Sequence, residues 1–227
     1  MFPLVLFTFV LTYPFDRYRK LANAILMFFG QSFTYLNPFW KIEMKGLENY
    51  RKGEGCIFLG NHRSFVDMPL LARLPWQMKW VSKKELFRIP VAGWILKMAG
   101  HISIDRGSPE ARKSIYKMVP YVEAGVPVMV FPEGTRSKDG KLKPFKRGAF
   151  LVAWEHKLPV QPIVITGTEK LIRPGSWVMK LKGYAIVSIL ERISPEDFES
   201  LEEFIDYTFN QFTEELKDLR YRLSKAA

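Results

Sequence analysis

A single cysteine, Cys56, stands in a chain of 227 residues. One thiol cannot close an internal disulfide, and without a C-x-x-C pair or a close His/Cys cluster the chain has no pattern for structural zinc. A reducing, cytoplasm-facing setting fits that usage. Other devices are missing too. Residues 134–142 lack the glycine spacing and the closing Ser or Thr of a nucleotide P-loop. Ser64 is not in a G-x-S-x-G elbow, and Cys56 lies in an apolar run, so neither is a convincing nucleophile. Acids are the scarcer charge, 23 against 34 Lys and Arg, for a net charge of +11. Residues 1–40 carry +2, 41–194 carry +14, 195–224 carry −6 and Lys225 adds +1. Anions are therefore expected to bind mid-chain, although a charge excess alone is equally a solvated basic surface.

The chain also has little uninterrupted apolar length. Residues 1–15 are uncharged and dense in Phe, Leu and Val, but they hold Pro3 and Pro14. A charged knot of Asp16, Arg17, Arg19 and Lys20 follows, and the second uncharged stretch, 21–40, is interrupted by Gly30, Gln31, Ser32, Asn37 and Pro38. A spanning helix needs about 20 apolar residues, so two short helices lying in one leaflet fit better than a pair of spans. No Lys or Arg precedes the first stretch, unlike a signal peptide, so the segment is expected to be retained. Residues 1–40 are thus read as an N-terminal apolar two-helix membrane anchor, monotopic on the cytoplasmic face. A hairpin packed on the domain is the alternative, and the density of Phe exceeds what one packed face requires.

Residues 41–227 read as an α/β domain, a mixed central sheet flanked by helices, with no repeat or Gly/Ser-rich linker. Strands are expected over 41–45, 56–59, 78–81, 101–104, 127–131, 160–166 and 177–190, and helices over 67–74, 91–98, 110–124 and 148–156. Ser194, Pro195, Glu196 and Asp197 read as a helix start, after which Phe198, Leu201, Ile205, Phe212, Leu216, Leu219 and Leu223 recur at helical spacing. That helix is given no chemistry; its acids would keep its side off anionic lipid.

Two constellations follow apolar runs. Asn61, His62, Arg63, Ser64, Phe65, Val66 and Asp67 come after 56–59, at the strand end where α/β proteins commonly build sites. With a turn between them and Asp67 near the next helix start, the carboxylate can reach His62 Nδ1, fix the tautomer and leave Nε2 to take a proton from an alcohol. By itself, such a pair is more often structural. The second constellation is Phe131, Pro132, Glu133, Gly134, Thr135, Arg136 and Ser137, where Gly134 permits close backbone approach and Arg136 offers a fork suited to phosphate. His101 and His156 read as structural.

Together these blocks resemble the glycerolipid acyltransferase family, bacterial type, whose signature reads Asn-His, four residues, Asp, and later Phe-Pro-Glu-Gly-Thr-Arg-Ser. Further matching blocks are residues 100–106 (Gly-His-Ile-Ser-Ile-Asp-Arg), 158–165, and Lys83, Lys84, Glu85, Leu86 with Pro90 and Gly93. The resemblance covers about residues 40–190. It implies acyl transfer from a thioester, acyl-CoA or acyl carrier protein, to the sn-2 hydroxyl of 1-acylglycerol 3-phosphate, giving phosphatidate, without metal or cofactor. It implies His62 as base supported by Asp67, and Arg106, Arg136 and one of Lys83 or Lys84, with Lys83 preferred, at the acceptor phosphate. Glu133, Gly134 and Thr135 are carried over as acceptor-site residues, Glu133 with the alternative of holding a neighbouring Arg. An anionic membrane surface is the expected further partner, and nucleic acid is not. Rival readings are an acyltransferase for glycerol 3-phosphate or another lysophospholipid, and a non-catalytic anionic-membrane or nucleic-acid binding module.

Overall fold

Short runs of apolar and β-branched residues become the strands of one sheet. The computed structural model describes residues 1–137, 140–172 and 178–225. Among them the strands are β1 (Trp40–Lys45), β2 (Ile57–Gly60), β3 (Lys79–Lys83), β4 (Ile102–Ile104), β5 (Val128–Val130), β6 (Val160–Thr166) and β7 (Gly183–Ile189). The helices are α1 (Phe2–Thr12), α2 (Lys20–Tyr35), α3 (Asp67–Leu71), α4 (Ala92–Met98), α5 (Glu110–Tyr116), α6 (Val119–Glu123), α7 (Arg147–Glu155), α8 (Thr168–Leu171) and α9 (Leu201–Lys225). The sheet runs β1-β7-β6-β2-β5-β3-β4 and is parallel except between β6 and β7, so the expected mixed sheet is present.

Strand side chains alternate between two cores. Ile57, Leu59, Val128, Val130 and Val164 face α5, α6, α7 and α9. Phe58, Met129, Ile163, Ile165 and Val187 face α2, α3 and α8. Both faces are covered, which is why β2, β5 and β6 are buried along their whole length. The parallel order brings the ends of β2, β5 and β6 to one edge, and both constellations with them.

Several boundaries differ from expectation. The helix read over 110–124 is two helices, because Pro120 cannot donate to the carbonyl of Tyr116 and its ring clashes there. The start read at Ser194 is only a 3-10 turn, whose Ser194 Oγ accepts from Glu196 N. α9 begins after Ser200, with Glu203 N donating to Ser200 Oγ and Glu199 N donating to the Glu203 carboxylate. Of the strand read over 177–190, residue 177 lies outside the described residues and β7 begins only at Gly183.

The first forty residues form the expected two helices. They pack on each other, and α2 packs on α3 while α1 packs on α4. Their docking is polar as well as apolar. Asn23 Nδ2 donates to the Met78 carbonyl at 3.2 Å, and Lys79 Nζ, at 0% exposure, donates to the carbonyls of Arg19 (3.0 Å) and Ala99 (2.7 Å). One side of the hairpin is therefore packed on the domain. The other exposes Phe7, Val10, Leu11 and Phe15. Among the described residues no helix is long and apolar enough to cross a membrane.

Burial pushes the Lys79 ammonium down to about 7, with Lys20 and Arg19 adding repulsion and Asp16 opposing it. Between that value and 10.5 the unfolded chain holds up to one more proton than the folded one, so the folded state gains stability as pH rises through this window, loses it as pH falls back through the same window, and is unaffected by this group below about 7. Lys79→Met should remove a rise of up to about 1.4 kcal/mol per pH unit. Denaturant unfolding of both proteins in detergent between pH 7 and 9 checks it. Parallel pH dependence in the two proteins would contradict the buried-ammonium account.

Candidate active site

At the end of β2 the chain turns sharply, and Asn61 secures the turn. Its side chain, 0% exposed, donates to the Ile165 carbonyl (2.8 Å) and accepts from Ile165 N (2.7 Å), locking β2 to β6 beyond their last paired residues. The next residue, His62, is held from both sides of its backbone. Its N–H donates to Glu133 Oε1 at 2.8 Å, and its carbonyl accepts from Ser137 N at 3.0 Å. The imidazole stacks on Phe131 with ring centres 4.2 Å apart.

Asp67 opens α3 with its carboxylate fully buried. Oδ2 accepts from Arg63 N (2.6 Å) and Ser64 N (2.8 Å) and lies 2.7 Å from His62 Nδ1. Oδ1 accepts from Thr168 Oγ1 at 2.6 Å. An ionised carboxylate facing Nδ1 puts the proton on that nitrogen and leaves Nε2 as an acceptor. The five-residue spacing works because residues 62–66 form a turn rather than a helix. Thr168 had no reading from the sequence; the only signal for it was a Gly-Thr pair at the end of an apolar run.

The second constellation is braced on the first. Glu133, 4% exposed, receives His62 N on one oxygen and Lys143 N (3.0 Å) on the other. Burial raises its pKa, opposed by those two backbone donors. The partners of Glu133 are thus main-chain amides rather than the neighbouring arginine. Arg106 Nη1 instead donates to the carbonyl of Gly134. Gly134 has φ of 73°, so the backbone calls for glycine, while the Lys146 side chain that a Cβ would meet at 2.8 Å can swing aside. Thr135 and Arg136 are exposed at the tip. Lys143 Nζ donates to Thr135 Oγ1 (3.1 Å) and the Arg136 carbonyl (3.0 Å), which makes this lysine part of the turn.

Of the two candidate lysines, Lys84 pairs with Asp105 at 2.7 Å. Lys83 ends β3, exposed, on the same strand face as Val81. Val81 lines a cavity of about 340 Å³ that also includes Arg106, Gly134 and Lys146. A second cavity of about 340 Å³, on the hairpin side, is lined by Met27, Gly30, Phe33, Met68 and Trp80. His101 accepts from Trp80 N at 3.1 Å, and burial followed by Lys79 lowers it to about 3, a neutral acceptor as its structural reading requires. Among the described residues no cluster of His, Cys, Asp and Glu could hold a metal ion.

The sequence model for the acyltransferase domain matches residues 41–166, more than half of the chain. The chain belongs to the acyltransferase family. It is 40% identical over 164 residues to a curated chloroplastic 1-acyl-sn-glycerol-3-phosphate acyltransferase of Brassica napus, covering 71% of this chain and 47% of that protein. A 1-acyl-sn-glycerol-3-phosphate acyltransferase of Saccharomyces cerevisiae is 34% identical over 187 residues, 79% of this chain and 61% of its own. The crystal structure of the 1-acyl-sn-glycerophosphate acyltransferase PlsC of Thermotoga maritima superposes with a TM-score of 0.78 at 29% identity, over 96% of this chain and 88% of that one. The chain spans about half the length of the curated plant relatives it matches, 47% and 46%.

Because Thr168 supplies the only side-chain bond to Asp67 Oδ1 among the described residues, Thr168→Val leaves a buried anionic oxygen without its donor. Hydrogen bonds to charged groups contribute about 1.5–3 kcal/mol, so a loss of that order is expected at neutral pH, with Thr168→Ser retaining most of it. Equal unfolding midpoints for Thr168→Val and the unaltered protein would rule the bond out as a support.

Proposed function

We propose that this acyltransferase-family chain transfers an acyl group from a thioester donor, acyl-CoA or acyl carrier protein, to the sn-2 hydroxyl of 1-acylglycerol 3-phosphate, forming phosphatidate. The observation that carries it is the His62–Asp67 pair at 2.7 Å, with the carboxylate buried and otherwise satisfied. His62 Nε2 takes the acceptor hydroxyl proton as the oxygen attacks the thioester carbonyl. Asp67 holds the tautomer and stabilises the imidazolium, which then protonates the departing thiolate. No enzyme nucleophile is needed.

Arg106, Arg136 and Lys83 are the proposed phosphate contacts. Of the three, Arg106 lines the cavity beside Gly134, and on this reading Gly134 shapes the approach with Thr135 beside it. Glu133 acts by holding the His62 backbone against that surface. The names of the relatives support the acceptor class. So does the hairpin-side cavity, whose apolar lining suits a fatty chain. Residues 1–40 form the proposed monotopic anchor on the cytoplasmic face of the cell membrane, and 41–227 the catalytic domain. The support is the exposed row of Phe7, Val10, Leu11 and Phe15, an apolar surface with no protein covering it among the described residues.

His62→Ala should lower turnover by about 10²–10⁴ while vesicle binding and circular dichroism stay unchanged, and Asp67→Asn should also be severe. Near-normal turnover by folded His62→Ala sinks the mechanism. Offering one acyl thioester with glycerol 3-phosphate and several lysophospholipids tests the acceptor.

Arg136→Ala should raise the acceptor KM roughly tenfold, about the lower end of what a charged hydrogen bond supplies, because the side chain is exposed. Steady-state kinetics on mixed vesicles measures this. An unchanged KM would move the phosphate contact to Arg106 and Lys83. In the basic run 136–147, Lys138 lies outside the described residues.

A further inference from the structure

Between α8 and β7 the described chain resumes as Val178, Met179, Lys180, Leu181 and Lys182, an alternation of apolar and basic residues. Val178, Met179 and Leu181 are 76%, 51% and 67% exposed. The backbone beneath them is fixed. Met179 forms an antiparallel bridge with Ile172, Lys180 N donates to the Leu171 carbonyl at 2.9 Å, and the Lys180 carbonyl accepts from Trp40 Nε1 at 2.8 Å and Asn37 Nδ2 at 3.5 Å. Pinned at both its amide and its carbonyl, the arm keeps these side chains pointing outward.

The neighbours of the arm decide what covers it. Asn37 and Trp40 belong to the exit of the hairpin, where Leu36 is 81% exposed beside Tyr35 and Phe39. The apolar surface of the hairpin thus continues onto the arm. Exposed Lys180 and Lys182, with Lys41 at the start of β1, give this continuation a positive rim. Apolar side chains that enter a bilayer, flanked by long lysines whose ammonium groups remain at the headgroups, are the chemistry of an anionic lipid surface. From that geometry we infer that residues 178–182 form a second membrane contact, separate from α1 and α2 and pressed on anionic lipid.

The contact reaches the site through one link. Ile172, the bridge partner of Met179, accepts a 2.8 Å hydrogen bond from Ser64 Oγ in the turn between His62 and Asp67. Phe65, 41% exposed, stands in that same turn. The arm therefore holds the His62 turn close to the lipid surface, where a membrane-resident acceptor presents its hydroxyl. This role rests on the hairpin lying in the same leaflet.

The test uses the full chain and vesicles of phosphatidylcholine with or without phosphatidylglycerol. The double variant Met179→Ser with Leu181→Ser should weaken vesicle binding by roughly tenfold or more at every salt concentration, since each buried methylene contributes severalfold. Lys180→Glu with Lys182→Glu should weaken binding to anionic vesicles by about fivefold per lysine, and less as salt rises. Both should keep the thermal midpoint and the turnover of a short-chain, detergent-dispersed acceptor. An environment-sensitive dye on Leu181→Cys, with native Cys56 fully buried, should shift to the blue on vesicles. Phe7→Ser with Val10→Ser separates the two readings, because unchanged binding there defeats the hairpin anchor whatever the arm does. Unchanged binding by both arm variants, a dye that stays in water on vesicles, or a dye shielded by acyl carrier protein but not by lipid overturns the inference.

Discussion

The Asp67 carboxylate is the point at which the separate parts of the site are joined. It is wholly buried, and a buried anion is tolerated only when its lone pairs are met by donors. Here they are met by two backbone amides of the 62–66 turn, the His62 imidazole and the Thr168 hydroxyl. Those donors come from the end of β2 and the start of α8, which follows β6. Satisfying one charge therefore fixes the turn, the helix after it, the ring orientation of His62 and the distance between two strand ends. Glu133 repeats this device from β5, joining the same turn to the loop that leads into α7.

This arrangement explains why polar residues crowd an otherwise apolar sheet edge. Asn61, Arg63, Ser64, Asp67, Glu133 and Thr168 are all buried. Most of their bonds go to main-chain groups at strand ends, where ladder partners have run out and amides would be unpaired. The polar cluster thus completes the hydrogen bonding of the sheet while it orients one imidazole. Rigidity follows from the same bonds, and the proposed base, which would have to meet a hydroxyl within hydrogen-bond reach, would benefit from it. Arg63 and Arg220 extend the pattern outward, both donating to the Gly140 carbonyl and tying α9 to the loop beyond the second constellation.

The strand ends and the His62–Asp67 contact were legible because they depend on local pattern: apolar runs, then a short polar turn with a fixed number of residues. The two hydrogen bonds of Glu133 were not, since their donors are backbone amides that carry no side-chain signature. Thr168 stands 101 residues from Asp67, and only the parallel pairing of β2 with β6 brings the two together. Lys79 was equally hidden. A lysine at the start of a strand reads as solvated, and its burial follows from the turn between α1 and α2 closing over it. Helix ends were lost where a proline broke a good pattern, at Pro120, or where one cap preceded another, at Ser194 and Ser200.

Charge and apolar surface are sorted by the sheet. The hairpin belongs with α3 and α8 on one side, whereas α9, with its run of acids, packs with α7 on the other. Exposed charges act over about 8–10 Å at physiological salt, whereas two layers of a domain stacked on a sheet are separated by about 10 Å for each layer. The acids of α9 therefore cannot cancel the attraction of Lys180, Lys182 and Lys41 to an anionic surface on the hairpin side, and they do repel such a surface if the molecule approaches with the other face. In the proposed membrane contact, burial of apolar side chains would then hold only the approach through the hairpin side. Under the proposed membrane contact, the uneven charge seen along the chain becomes, once folded, a preference for one orientation in which the turn bearing His62 would be close to the lipid.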